Sequence, residues 1–396
     1  MEAAFKNSPK IRAANLKWAK LLQRYPQAVA WDDPILSYTF PVSPIETRLG
    51  PQEHIFKVTQ KFPFPGKLGL KGEIMVKDVE IAKTEYERTI RDLVVAVKKS
   101  FYEYSYIVKA LDLARQNLKV LEHLNGVGTT DYTNNKLLLN DVLKAQSRYA
   151  QAAYDVILLE EMLETEKTRI NTLINRDPET ALGRPVEPIF TKFPHTLEEV
   201  YKMAGGNEEL KSADFKIDKT RVMAKLAKLK RYPNFMFGFN YVSIGGPPTK
   251  VTGAGKDAYG AMVGLTIPLW TSKNKAVINE AELTIKEQRE RKKVLKNEIL
   301  NKVKKAFFKL NNSERLIKLY GETLLPQAKK SMELSETWYK NGEAAFASFL
   351  EAQSIWFNFQ TAYFRAKTDY LKGIADLEKI TGMMLVGLSN KGEENQ

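Results

Sequence analysis

The feature that most restricts this chain is that it repeats itself. From Tyr339 it reads Y-K-N-G-E-A-A-F-A-S-F-L-E-A-Q, continues in a helical pattern and closes on L-E-K-I-T-G at Gly382. From Tyr132 it reads Y-T-N-N-K-L-L-L-N-D-V-L-K-A-Q and closes on I-N-T-L-I-N at Asn175. One offset aligns the two stretches without a gap, setting Asn135 on Gly342, Leu143 on Leu350, Gln146 on Gln353 and Asn175 on Gly382. Ile11 to Pro34 and Leu210 to Pro233 are equally spaced, which carries the duplication to the front of each half. An internal repeat sets the frame for reading every other segment.

Within that frame each half has the same order. Residues 2–24 place apolar side chains every three to four positions and predict a helix. It must stop before Asp32-Asp33-Pro34, because a residue ahead of proline is pushed towards extended structure. Strand patterns follow at about 35–42 and 54–62. In the second of them Phe56, Val58, Gln60 and Phe62 alternate with Ile55, Lys57, Thr59 and Lys61. A helical pattern free of proline then begins near residue 68, with Leu93, Val97, Phe101, Tyr104, Val108 and Leu111 at coiled-coil spacing. Its weak region, Asn125 to Asn135 with Gly126 and Gly128, predicts the turn of a helical hairpin over 68–175. Residues 176–195 are a proline-rich loop.

The second half predicts a helix over 196–231, capped by Thr196 with Glu199 three residues on, and interrupted at Gly205-Gly206-Asn207. Strands follow at about 234–243 and 258–267. Phe235, Phe237, Phe239 and Tyr241 share one face of the first. Tyr259, Ala261, Val263, Leu265 and Ile267 share one face of the second, opposite Gly260, Met262, Gly264 and Thr266. A second helical hairpin spans 275–382, kinked at Pro326. The expected domains are a first repeat over 1–190, a second over 191–385 and a polar tail over 386–396.

Length then constrains architecture. Pro268 to Gly342 is 74 residues (342 − 268), about 110 Å of helix. The returning arm and the helix at 196–232 come to about 60 Å and about 55 Å. Laid end to end, those two match one long helix. Such helices bury an apolar stripe only against neighbours in a bundle.

Composition removes other classes. At 43% hydrophobic residues the chain is not disordered, and it has no apolar run long enough for a membrane-spanning helix. With no cysteine there is no disulfide, thiolate metal site, cysteine nucleophile or lipidated cysteine. The first ten residues lack the apolar core of a signal peptide, which predicts either a cytoplasmic chain or one that follows its targeting segment. The charge of +14 is spread over long helical patterns and mixed with Glu, so no nucleic-acid partner is expected. His54, His123 and His195 fall on different elements without carboxylates at ligand spacing, so no catalytic residue, metal or cofactor is expected.

The strands decide the environment. Four strands with aromatic faces fit an outer-membrane-type barrel, and the chain holds no spare segment to cover them. Four strands cannot close, and an open edge is not tolerated in lipid, so chains must combine: two give eight strands and three give twelve.

At this point the residues resemble a known family. The carriers are Tyr339-x-x-Gly342, Leu350-Glu351-Ala352-Gln353, Leu377-Glu378-x-x-x-Gly382, Leu324-Leu325-Pro326-Gln327-Ala328 and the run from Gln60 to Lys67. In this order, and duplicated, they resemble the TolC-type outer-membrane efflux proteins over about residues 1–385. The Pro-Gly-Lys at 65–67 and the L-P-Q-A segment look most like the branch that serves heavy-metal and related RND pumps.

The resemblance implies an α+β membrane protein: a homotrimer with a 12-stranded barrel in outer-membrane lipid and a periplasmic tunnel of long helical hairpins. It implies an exit duct that passively conducts what an inner-membrane pump of RND type and a periplasmic adaptor (membrane fusion) protein deliver. The adaptor-docking tips would be Asn135, Lys136, Leu137 and Leu138 in the first copy, and Gly342, Glu343, Ala344 and Ala345 in the second. The family places acids six and nine positions after the tip glycine, around the tunnel entrance. Here those positions are Ser348 and Glu351, so a gate would rest on Glu351 with Asp141 from the first copy. Phe56, Val58, Phe62, Phe235, Phe237, Phe239, Tyr241, Tyr259, Val263 and Leu265 would face lipid. The competing expectation is a soluble coiled-coil scaffold or adaptor without a channel.

Overall fold

A computed structural model of the chain describes residues 2–246, 252–253 and 255–385. The tail expected at 386–396, and residues 247–251 and 254 of the loop between the last two strands, lie outside them. The first half holds three short helices, α1 (Glu2–Asn7), α2 (Pro9–Leu22) and α3 (Arg24–Val29), then β1 (Ile35–Thr39), β2 (Glu46–Thr47) and β3 (Gly50–Phe62). Two long helices follow, α4 (Lys67–Thr133) and α5 (Leu139–Leu173). The second half holds α6 (Leu197–Ala204), α7 (Glu208–Leu229), β4 (Asn234–Ile244) and β5 (Ala258–Thr266). It ends in α8 (Thr271–Lys318), a π-helical turn (Leu319–Leu324), α9 (Leu325–Lys340) and α10 (Phe346–Thr381).

Most differences from the sequence expectations have a local cause. The first helix breaks at Ser8 and Gln23, each followed within three residues by a proline, Pro9 and Pro26. β1 ends at Thr39, just ahead of Phe40 and Pro41. β3 starts early, at Gly50 with φ 130°, because its first residues pair with β2 in a tight hairpin. Helix α4 runs straight through Asn125–Gly128, where a turn is expected, to Thr133. Packing overrides the weak propensity there: Leu121 and Leu124 are core residues, and Gly128 lies against the Phe346 ring, where an added Cβ would sit 3.4 Å from it. The break between α6 and α7 falls where expected, and Thr196 and Glu199 form the complete capping box.

The chain forms two compact units, each drawing on both halves of the sequence. One contains Ala14–Tyr86 and Glu209–Leu295, and with them every strand. Its antiparallel sheet has the order β1-β3-β4-β5, with β2 beside the start of β3. The register lines up Tyr38, Phe56, Tyr241 and Tyr259 across all four long strands, then Leu36, Val58, Phe239 and Ala261. The sheet is tied to the start of α4 through Asn234. The Lys67 ammonium donates to the Asn234 side chain and the Tyr232 carbonyl at 2.8 Å each, and the Phe64 N–H donates to the same Asn234 at 3.1 Å. Burial, with Lys230 and Lys71 nearby, holds the Lys67 ammonium below the usual lysine range.

The other unit contains the chain up to Ala13, Glu87–Glu208 and the described residues from Lys296 onward, and its long helices pack as a bundle. One core cluster joins Leu121 and Leu124 of α4, Ala145 and Ala152 of α5, and Phe346, Phe349 and Leu350 of α10. A second joins Leu111 and Ala114 to Val156, with Phe357 packed against it. Among the helices lies a buried ion pair, Lys98 of α4 with Glu378 of α10 at 2.6 Å, each side chain under a tenth exposed.

Candidate docking tips and barrel face

Each long hairpin turns by the same device, 207 residues apart (342 − 135). Asn135 has φ 57° and Gly342 has φ 76°. At the first turn the Lys136 N–H donates to the Asp131 carbonyl and the Asn135 N–H to the Tyr132 carbonyl. At the second, the Glu343 N–H donates to the Trp338 carbonyl and the Gly342 N–H to the Tyr339 carbonyl. This is the Schellman pattern, which satisfies the last carbonyls of a helix through one left-handed residue. Leu138 and Ala345, again equivalent, are the extended residues that start α5 and α10. The far ends of the returning helices repeat the pairing, with Asn175 at φ 55° and Gly382 at φ 78°.

The two tips are joined side by side. The Tyr339 hydroxyl donates to the Asp131 carboxylate at 2.7 Å. Its ring packs 5.1 Å from Phe346 and 6.2 Å from Phe349, centroid to centroid. Burial, followed by that carboxylate, pushes the Tyr339 phenol well above its usual range. Sequence reasoning missed both partners; the only signal was a tyrosine at each repeat start with an aspartate beside the first.

The expected tip residues separate by position. Asn135, Lys136 and Leu138 are exposed, and Leu138 is 73% accessible, whereas Leu137 turns inward against the core cluster. Gly342, Glu343 and Ala345 are exposed, and Ala344 is half-buried. The L-E-A-Q motif resolves the same way: Leu350, Ala352 and Gln353 are buried, and Glu351 faces out.

At the expected gate, Ser348 and Glu351 share one exposed face, one turn apart on α10. Asp141 is half-buried and pairs with Lys144 at 3.4 Å. Lys144 is the repeat equivalent of Glu351, so the first copy neutralises its own acid. Glu351 has no ion pair among the described residues.

The ten expected lipid-facing residues all fall on one face of the sheet, in matching register rows. Phe56, Val58, Phe237, Phe239, Tyr259, Val263 and Leu265 are exposed, while Phe62, Phe235 and Tyr241 are half-buried among them. β1 and β5 are edge strands, and every residue of β1 is exposed. In the bundle, α5 carries exposed Leu139, Leu143, Tyr154, Ile157 and Leu158 on its outward side.

Residues 200–383 match the family model described as outer membrane efflux protein. That segment is similar to outer membrane efflux proteins. Solved structures share the chain's fold almost end to end. The outer membrane protein VceC of Vibrio cholerae matches with a TM-score of 0.81 at 15% identity, over 97% of this chain and 95% of that one. A membrane protein of Pseudomonas aeruginosa matches with a TM-score of 0.82 at 14% identity, over 96% and 89%. The outer membrane channel MtrE of Neisseria gonorrhoeae, in its open state, matches with a TM-score of 0.77 at 16% identity, over 97% and 88%. Comparison with the curated proteins gives no match. The family description and the names of these structures are those of outer-membrane and efflux proteins.

Proposed function

We propose that this chain is a TolC-type outer-membrane efflux protein, and that three copies close a 12-stranded barrel and a helical tunnel, forming the outer-membrane duct of a tripartite efflux system whose pump is of RND type. The sheet carries this reading. Its aromatic face is uncovered, and both its edges are open among the described residues. Lipid accepts that face but not those edges, so the edges must pair with other copies. Three copies give twelve strands, wide enough for a lumen. The exposed apolar side of α5 supports the same reading, because a neighbouring copy would cover it.

In this reading the exposed parts of the two tips, Asn135 to Leu138 and Gly342 to Ala345, meet a periplasmic adaptor. The left-handed caps hold the turns rigid, so the small and apolar residues that follow are presented without an ordering cost. Leu137 acts from beneath, holding the first tip to the core. Glu351 supplies the acidic ring at the tunnel entrance. Asp141 adds little, because Lys144 cancels its charge.

Fractionation and cross-linking test the proposal together. Expressed from its full gene, the protein is expected in the outer-membrane fraction, extracting with detergent as a trimer. Glu351→Cys, in a chain with no other cysteine, is expected to cross-link between copies, and a bulky thiol reagent is expected to block export. A protein that remains soluble without detergent and gives no inter-copy cross-link would instead be a scaffold.

A further inference from the structure

From Ile55 to Lys61, and across the strands in register, the face of the sheet opposite the aromatics carries charge of one sign. Lys57 and Lys61 of β3 lie on it, both exposed, and neither makes an ion pair among the described residues. No Asp or Glu occurs between Ile55 and Lys61, or on the stretches of β1, β4 and β5 in register with it. The surroundings are low. Across the register from Lys57, the Asn240 side chain lies over Gly260, where a Cβ would come within 2.4 Å of its Oδ1. Across from Lys61, the Met236 side chain lies over Gly264, with its Cε 3.0 Å from a Cβ there. The lysines stand over a floor of glycine and flattened side chains.

We propose that this face makes the barrel lumen attract anions, so that the duct favours anionic organic molecules over free metal cations. The inference rests on the trimeric duct reading, in which this face lines the pore. Two lysines from each of three chains then form two rings. Four residues of strand separate the rings by about 13 Å. Charges interact over about 8 Å at physiological salt but about 30 Å at 0.01 M. The two rings therefore act separately in the first case and as one positive sleeve in the second. Low-dielectric walls concentrate such a field and raise the local concentration of counter-ions. The acidic positions of the proposed entrance oppose it weakly. Of the three expected gate positions, Asp141 is paired with Lys144 and Ser348 is uncharged, which leaves Glu351.

The test is the ion selectivity of the purified full chain in planar lipid bilayers under a gradient of potassium chloride. Wild type and Glu351→Gln are measured together, so that the ring at the tips does not mask the barrel. Chloride is expected to permeate Glu351→Gln several-fold better than potassium at low salt, with the ratio falling towards one as salt rises. Lys57→Gln with Lys61→Gln is expected to remove the preference, and Lys57→Glu with Lys61→Glu to reverse it. A cation preference in Glu351→Gln, or a ratio unmoved by either lysine pair, overturns the inference and leaves the duct intact. If wild type and Glu351→Gln both carry no current, the duct reading itself fails, and this inference with it.

Discussion

At the scale of single residues, one backbone state is solved with two amino acids. The first repeat uses Asn135 and Asn175 where the second uses Gly342 and Gly382, and all four are left-handed. Asn tolerates this region through local hydrogen bonding, whereas a side chain such as alanine costs about 1 kcal/mol there. Asn135→Ala and Gly342→Ala are each expected to lower unfolding free energy by about that amount, and Asn135→Gly to leave it nearly unchanged. Urea unfolding in detergent checks all three. Gly382→Ala should cost more than Gly342→Ala. A Cβ at Gly382 would come within 3.0 Å of Arg91 and 3.1 Å of Glu208, which pair with each other, whereas none of the structure lies within 4 Å of one at Gly342. Tyr339 supplies a pH effect. Its phenol is raised by burial and by Asp131, so the folded chain holds that proton more tightly than the unfolded one, which releases it near pH 10. The contribution is complete below about pH 10 and is lost as pH rises through the folded value. Tyr339→Phe is expected to lose about 1 kcal/mol near neutral pH and to flatten the alkaline limb of a melting-temperature profile.

At the scale of elements, the two hairpins are built alike but are not equally straight. α4 runs unbroken for 67 residues, about 100 Å. Its counterpart is split by the π turn at Leu319–Leu324, where the Leu325 N–H reaches back five residues to the Tyr320 carbonyl. The turn widens the backbone ahead of Pro326, where an α-turn would press the ring against the Glu322 carbonyl. The first repeat has Lys119 at the matching place, and needs no such turn. A break in the regular helix near Pro326 was legible, because proline names its own position. The straight run through Asn125–Gly128 was not, because it depends on which residues of α10 lie opposite. Likewise the alternation of Phe235 to Tyr241 showed a two-faced strand, but β2 and the early start of β3 come from a pairing that alternation does not encode. The hairpin turns were legible through Asn135 and Gly342, whereas the pairing of Asp141 depends on a lysine one turn away that motif matching passes over. The Lys98–Glu378 pair was invisible, since its members lie 280 residues apart. Lys98→Met alone leaves a carboxylate buried between α4 and α10 and is expected to cost about 3–5 kcal/mol. Lys98→Met with Glu378→Leu should recover most of that loss, as read by thermal melting of the single and double variants.

At the scale of the whole molecule, the sheet is asymmetric in what each face tolerates. A charge placed on the aromatic face of a barrel costs about 2–4 kcal/mol near the middle of the bilayer, and far less on the lumen side. Val263 is 70% exposed and lies in the row of Phe237, while its neighbour Met262 lies on the opposite face. Val263→Arg is expected to cut the amount of trimer recovered from the outer membrane, and Met262→Arg to leave it near wild type. Equal losses from both would mean that the sheet has no lipid side.

The open edges of β1 and β5 also have a consequence in time. A newly made chain carries an aromatic surface and two edge strands that none of its described residues close, and such surfaces are prone to aggregate. If three copies must meet, the appearance of working duct depends on chain concentration with a reaction order above one. Halving the supply of chains would then more than halve the early rate of assembly, and slow expression would lengthen the exposed interval for every molecule.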